Sequence, residues 1–185
     1  MSELTKTQSE VAEWALRNFP KATVHQPLIG VAEECGELCH AHLKAEQGIR
    51  GTPEEHLAAK KDAVGDMVIF LMHYCALAGI DWIEVECAQS GALLNTPLPL
   101  NLIFCVGLLA QGEDFEIHRK SKVMNVALVV NAIDGYCRGN GIESLPVVRE
   151  VWQSVRQRDW QANKQDGTTL ESLDGKDSVY SGPPI

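Results

Sequence analysis

The chain has no run of basic residues longer than His118-Arg119-Lys120, and its 25 acidic against 16 basic residues leave a formal charge of -9. A field of that sign repels phosphates and anionic lipid, which argues against a nucleic-acid polymer or a membrane as partner. Zinc-type CxxC spacing is also missing. Cys35, Cys39, Cys75, Cys87, Cys105 and Cys137 fall inside apolar helical patterns, as expected of reduced thiols in a cytoplasmic protein rather than of a disulfide framework. The opening residues, MSELTKTQSE, carry no basic region followed by an apolar run, so no secretory signal is expected there. The most apolar stretches, 67–78 and 98–110, are too short to span a bilayer. With 45% hydrophobic and 22% charged residues, the remainder is ordinary globular composition, enough for one substantial core or two small ones.

Apolar residues recur at three- and four-residue spacing almost throughout, and the stop signals are Gly and Pro, so the expected class is all-α, a helical bundle. Thr7 with Glu10 reads as a capping box opening a first helix that runs through Trp14 to Phe19. A second helix starts near Pro27 and ends by Gly48. Thr52-Pro53-Glu54-Glu55 combines a capping Thr, a Pro at the first helical position and a box-closing Glu, and opens a third helix that reaches about Ala78. Asp81 and Glu84 repeat the capping pattern for a short helix to about Ser90. Beyond Pro97 and Pro99 come an apolar helix near 100–110, a long one over 116–138 and a last one over 146–164. The expected organisation is one domain over 1–165, with halves 1–95 and 96–165. A tail or arm follows over 166–185, where periodicity gives way to Gly, Ser, Asp and Pro.

Two stretches look alike. YCALAGID (74–81) and YCRGNGIE (136–143) share Tyr, Cys, Gly, Ile and an acid in register, 62 positions apart. Upstream, GVAEECGEL (30–38) has a fainter echo in NLIFCVGLL (101–109), in which Glu33, Glu34 and Glu37 become Phe104, Cys105 and Leu108. A duplicated helical hairpin is expected, the second copy having exchanged carboxylates for apolar groups.

The acids of the first copy carry the chemistry. Residues three or four apart share a helix face, so Glu33, Glu34 and Glu37 crowd one side of a helix otherwise made of Val31, Ala32, Cys35, Leu38 and Cys39. Like charges at that spacing repel, and an unpaired buried carboxylate protonates instead, so a cation is expected there. Asp62 and Asp66, four apart on the next helix and followed by the core run MVIFL, provide a second acidic pair. Two such helices can converge on a divalent ion. Oxygen-only donors favour Mg²⁺, with Mn²⁺ as a possible substitute, and Mg²⁺ keeps waters and recruits phosphates. The pattern therefore points to phosphate-ester or phosphoanhydride chemistry.

Glu34-Cys35-Gly36-Glu37, preceded by Glu33, and Asp66 in VGDMVIFL resemble the ExxE and the closing Asp of the MazG-like all-α nucleoside triphosphate pyrophosphohydrolases. The resemblance is strongest over 8–90 and extends more weakly to VRQRDWQANKQDG, which is similar to a basic C-terminal arm of some relatives. It implies hydrolysis of a nucleoside triphosphate, a deoxynucleotide or non-canonical one, to the monophosphate and pyrophosphate. Glu34, Glu37 and Asp66 would be metal ligands with Asp62 as the fourth, and Glu33 would orient or deprotonate the attacking water. Lys44, Arg50, Lys60 and Lys61 flank the motif and could meet phosphates, while Trp14, His25 and Gln26 lie where relatives build the base pocket. The family's first ExxD acid falls on Ala63, and Asp62 is displaced by about 100° round the helix from that position. Relatives of single-repeat length pair chains to complete a four-helix core. A duplicated chain could supply its own degenerate partner, and a homodimer is expected on resemblance.

Two other readings compete. Glu37-x-x-His40 is the element that di-iron carboxylate bundles use twice, but no second copy follows. A catalytically silent helical binding or assembly module would account for Ala63 and for the apolar second half. His42, His56, His73 and His118 show no ligand spacing and read as surface or helix-packing residues.

Overall fold

The computed structural model describes residues 2–89, 97–114 and 118–168. Among these residues lie α1 (Glu3–Asn18), α2 (His25–Gln47), α3 (Pro53–Leu77), α4 (Trp82–Ala88), α5 (Leu100–Asp114), α6 (Arg119–Gly139) and α7 (Ser144–Val155), and no strand, so the fold is all-α. The expected helix limits at Ser90 and Glu116, and most of the expected tail, lie outside the described residues. No single helix among the described residues is long and apolar enough to cross a membrane.

Capping chemistry sets several boundaries. Thr52 Oγ1 accepts the Glu55 N–H at 3.2 Å while Glu55 Oε2 accepts the Thr52 N–H at 2.7 Å, so α3 opens on a closed capping box. Gly48, at φ 63°, ends α2 in the left-handed region that glycine tolerates.

Two boundaries correct the sequence expectation. Helix α1 begins at Glu3 rather than Thr7, because Ser2 Oγ accepts the Thr5 N–H at 3.1 Å and caps it earlier. Glu10, not needed for a box, instead accepts from Trp152 Nε1 at 2.9 Å and Arg156 at 3.1 Å, fastening α1 to α7. Helix α7 ends at Val155 rather than Lys164. The Asp159 carboxylate accepts the N–H groups of Gln161 and Ala162 at 2.9 and 3.0 Å, and the Gly167 carbonyl accepts the Asp159 N–H at 2.7 Å. These local bonds compete with helix and close residues 156–168 into a loop.

Helix α3 is central, packed against α2, α7 and α1. The α2–α3 hairpin and the α5–α6 hairpin share one buried core, and the helix after each hairpin packs on the other: α4 on α6, α7 on α3. The repeat seen in the sequence recurs in the packing. Val31, Cys35 and Leu38 of α2 are buried, as are Leu102, Val106 and Leu109 of α5, each 71 positions on. Val64, Met67 and Leu71 of α3 match Val126, Val129 and Ile133 of α6, 62 positions on. Both long helices end alike: Ile80 donates to the Cys75 carbonyl and Ile142 to the Cys137 carbonyl, each at 2.8 Å, past a glycine at φ 66° or 67°. The buried tyrosines cross between hairpins. The Tyr74 hydroxyl donates to Glu113 Oε2 at 2.8 Å, and the Tyr136 hydroxyl bonds His42 Nδ1 at 3.0 Å. Glu113 itself lies 71 positions after His42, so the two bonds are equivalent under an approximate two-fold relation.

Candidate active site

Core packing fixes where the acids point. Val31, Cys35 and Leu38 of α2 and Ala63, Val64 and Met67 of α3 fill the interior, which leaves Glu33, Glu34, Glu37, Asp62 and Asp66 along the margin of the α2–α3 seam. Glu34 and Asp66 are half-buried, whereas Glu33, Glu37 and Asp62 are exposed. Burial, then the charges of Asp66, Glu37, Glu33 and Asp62, push the Glu34 carboxyl up to about 8. Asp66 is pushed up to about 6 by burial and Asp62, against the lowering pull of the Arg158 guanidinium.

None of the five carboxyls has a hydrogen-bond or ion-pair partner among the described residues. Nor do three such side chains stand close enough, as placed, to hold one metal ion. The donor chemistry nonetheless fits a hard divalent cation: oxygens only, from two facing helices, and mutually repelling. Ala63, the position where the family pattern has an acid, is 2% exposed and belongs to the core. Asp62 is the residue that turns outwards, lining a cavity beside Glu33 and Glu37.

Two cavities meet this acidic ridge. The first, about 670 Å³, is walled by Trp14, Phe19, Phe70, Ile69 and Trp160, and it carries Glu34, Asp66 and Arg158. A Cβ on Gly30 would lie 2.6 Å from the Phe70 ring, so glycine there lets the ring seat against α2. Trp14 stands edge-on to Phe19 at 5.7 Å and to Trp152 at 6.0 Å, which holds its indole in place. The second cavity, about 760 Å³, is lined by Glu33, Glu37, Glu55 and Asp62, by Lys44 and Arg50, and by His40 and His56.

The structure thus brings together Glu33, Glu34, Glu37, Asp62 and Asp66, with Trp14 and Gln26 at the first cavity and Lys44 and Arg50 at the second. It does not bring the other three to either cavity. His25 is exposed at the start of α2, where its charge bears on Glu113. The charge of Lys60 bears on His42, and Lys61 lies in a separate depression against α7. Of the remaining histidines, His42, His56 and His73 are buried between helices and His118 is exposed at the start of α6.

Sequence reading missed Phe70, Arg158 and Trp160. Phe70 hid inside a run read wholly as core. Arg158 and Trp160 hid in the expected extension of α7, although the basic arm had already been singled out. What the helical pattern could not show is the bonding of that arm to α1: Trp14 Nε1 donates to the Arg158 carbonyl at 3.0 Å, and the Trp160 N–H donates to Asn18 Oδ1 at 2.7 Å. No protein-family model, no curated protein and no solved structure matches the chain.

Proposed function

We propose that the protein hydrolyses a nucleoside triphosphate between the α and β phosphates, releasing the monophosphate and pyrophosphate, as its resemblance to the MazG-like pyrophosphohydrolases implies. One observation carries the reading. Five carboxyls without an ion-pair partner among the described residues, two of them raised by burial and mutual repulsion, lie between an aromatic cavity and a cavity with cationic side chains. That is the order of parts in a nucleotide: flat apolar base, metal-binding phosphates, anionic end.

Glu34, Glu37, Asp62 and Asp66 would hold Mg²⁺, or Mn²⁺ in its place, and the bound ion supplies neutralisation of phosphate charge. The other roles belong to the chain itself. Trp14, Phe19, Phe70 and Trp160 offer aromatic surface to a base. Arg158, beside Asp66, meets a phosphate as a fixed cation. Glu33, exposed in the second cavity beside Glu37, orients the attacking water and accepts its proton as the water oxygen bonds the α-phosphorus and the bond to the bridging oxygen breaks.

The four helices α2, α3, α5 and α6 pack as two hairpins within one chain; sedimentation measures whether the expected homodimer forms. Pyrophosphate release from a panel of ribo- and deoxynucleoside triphosphates with Mg²⁺ tests the proposal. Turnover by the wild type and its loss in Glu37→Gln is the expected result. No turnover on any nucleotide, with both proteins alike, sinks it in favour of the silent helical module. The absence of three converging ligands among the described residues speaks for that second reading.

A further inference from the structure

We infer that His73 is the residue of the first cavity that reads the edge of the base, and so sets which nucleoside the protein accepts; this rests on the hydrolytic reading, which makes that cavity the seat of the base.

Helix register puts the imidazole where a base edge would lie. Asp66, Phe70 and His73 stand at i, i+4 and i+7, so they form one stripe of α3, and all three line the first cavity. Asp66 is the acidic end of the stripe, and Phe70 supplies a ring half-way along it. His73 lies about 10 Å beyond Asp66 at 1.5 Å per residue, the span of a sugar and a stacked ring from a phosphate held at the acids.

The imidazole is buried, unpartnered and open to the cavity. His73 is 9% exposed and has no hydrogen-bond or ion-pair partner among the described residues. Its ring nitrogens are not closed off: among the described residues, the unpartnered nitrogens without access to solvent belong to His42 and His56. The surface that His73 presents is the wall of the first cavity. A polar ring sunk in the interior without a bond costs stability unless a ligand completes it.

The fold itself does not ask for that ring. In the repeat, Val64, Met67 and Leu71 are answered by Val126, Val129 and Ile133, all buried, whereas Asp66, Phe70 and His73 are answered by Leu128, Ala132 and Gly135. The copy without the acids has neither the aromatic ring nor the imidazole.

Apart from the carboxyls, the other polar side chains of the lining are spent or exposed. Asn18 Oδ1 accepts the Trp160 N–H at 2.7 Å and Asn18 Nδ2 donates to the Trp14 carbonyl at 3.0 Å. Lys21, Gln26, Arg158 and Gln161 are exposed. Burial holds the His73 imidazole below its usual range, which keeps it neutral, with one N–H and one lone pair to offer a carbonyl or an amino group of the base.

Calorimetric titration of the common deoxynucleoside monophosphates and of base-free deoxyribose 5-phosphate into the full chain with Mg²⁺ tests the assignment, beside the triphosphatase assay. His73→Phe keeps a ring of similar size and loses both nitrogens. In it the Kd for the best-bound nucleotide should rise about tenfold, the loss of one hydrogen bond, while the other bases lose less and the sugar phosphate nothing. His73→Gln, which keeps a donor and an acceptor, should recover part of the preference; circular dichroism confirms that each variant is folded. Unchanged affinities in His73→Phe, an equal loss on every base or on the sugar phosphate, or a wild type that binds no base more tightly than the sugar phosphate overturns the inference, while wild-type turnover leaves hydrolysis standing. A base-selective loss in a protein with no triphosphatase activity sustains the base-reading role of His73 and overturns the hydrolytic reading instead.

Discussion

The indole N–H of Trp14 donates to the main-chain carbonyl of Arg158 at 3.0 Å, joining positions 144 residues apart. Asn18, one turn further along α1 and 4% exposed, completes the fastening: its Oδ1 accepts the Trp160 N–H and its own carbonyl accepts Gln161 Nε2. Helix α1 therefore does two things at once. It lines the aromatic cavity, and it holds the loop that places a guanidinium beside Asp66.

Trp14→Phe separates these roles, since Phe keeps much of the aromatic area and loses the donor. One hydrogen bond is worth about 1 kcal/mol, so global stability should change little while the loop opens more often. Trypsin cleavage after Arg158 should quicken, and KM for the triphosphate should rise several-fold as Arg158 loses its fixed position. Equal cleavage rates and equal KM in variant and wild type would show that the bond does not hold the loop.

The acidic ridge gives the metal-free protein an unusual pH dependence. An acid whose folded pKa is raised contributes stability below its unfolded pKa, and that contribution drains away as pH climbs through the folded value. For Glu34 the window runs from 4.5 to about 8, and for Asp66 from 3.8 to about 6. Burial holds His42 and His73 below the usual imidazole range, which works the other way at the acid end. The informative quantity is thus a difference. Thermal melts in chelator should show wild type losing more stability than Glu34→Gln as pH rises through that window, and parallel curves would refute the assignment. Mg²⁺ should bind more tightly over the same interval, because its ligands must shed protons first.

How far the sequence could be read follows from which forces are local. Thr52-Pro53-Glu54-Glu55 and Gly48 stand in the structure as the sequence predicts, because caps depend on residues within one turn. The repeat was visible at Tyr74 and Tyr136, whose surroundings are equivalent. What periodicity could not give is the choice between two local caps: Ser2 caps α1 and leaves Glu10 to reach α7. The place of Arg158 was lost for a different reason: local bonds of Asp159 end the helix, but where the loop then lies depends on Asn18 and Trp14, far away in the chain. Ala63 and Asp62 were ambiguous because a rotation of about 100° decides core or groove, and only packing fixes that angle.

Gly65 permits the closest approach of α7 to the central helix, since a Cβ there would collide with the Val151 side chain. Gly65→Ala should destabilise the fold by about 1–3 kcal/mol through overpacking, read as a lower denaturant midpoint. The helix propensity of Ala works in the opposite direction by up to about 1 kcal/mol, so the sign of the result weighs the collision against it. Adding Val151→Ala, which removes the two methyl groups but leaves the Val151 Cβ 2.6 Å from the new one, should restore only part of the loss. A Gly65→Ala protein at least as stable as wild type would mean that α7 moves aside freely.

Asp62 and Ala63 divide the site from the core. Ala63 is 2% exposed within the packed interior, while Asp62 lines the second cavity with Glu33 and Glu37 and raises the pKa of both Glu34 and Asp66. Supplying the family's acid as Ala63→Asp should therefore not strengthen the site: it puts a carboxylate among apolar side chains, costs several kcal/mol, and lowers the melting temperature without tightening Mg²⁺. Asp62→Asn should do the reverse. It relieves repulsion on the ridge, so the metal-free protein should melt no lower than wild type, yet Mg²⁺ or Mn²⁺ should bind at least about tenfold more weakly in a direct titration. Tighter metal binding in Ala63→Asp, or unaltered binding in Asp62→Asn, would mean that Asp62 is not the acid serving the groove.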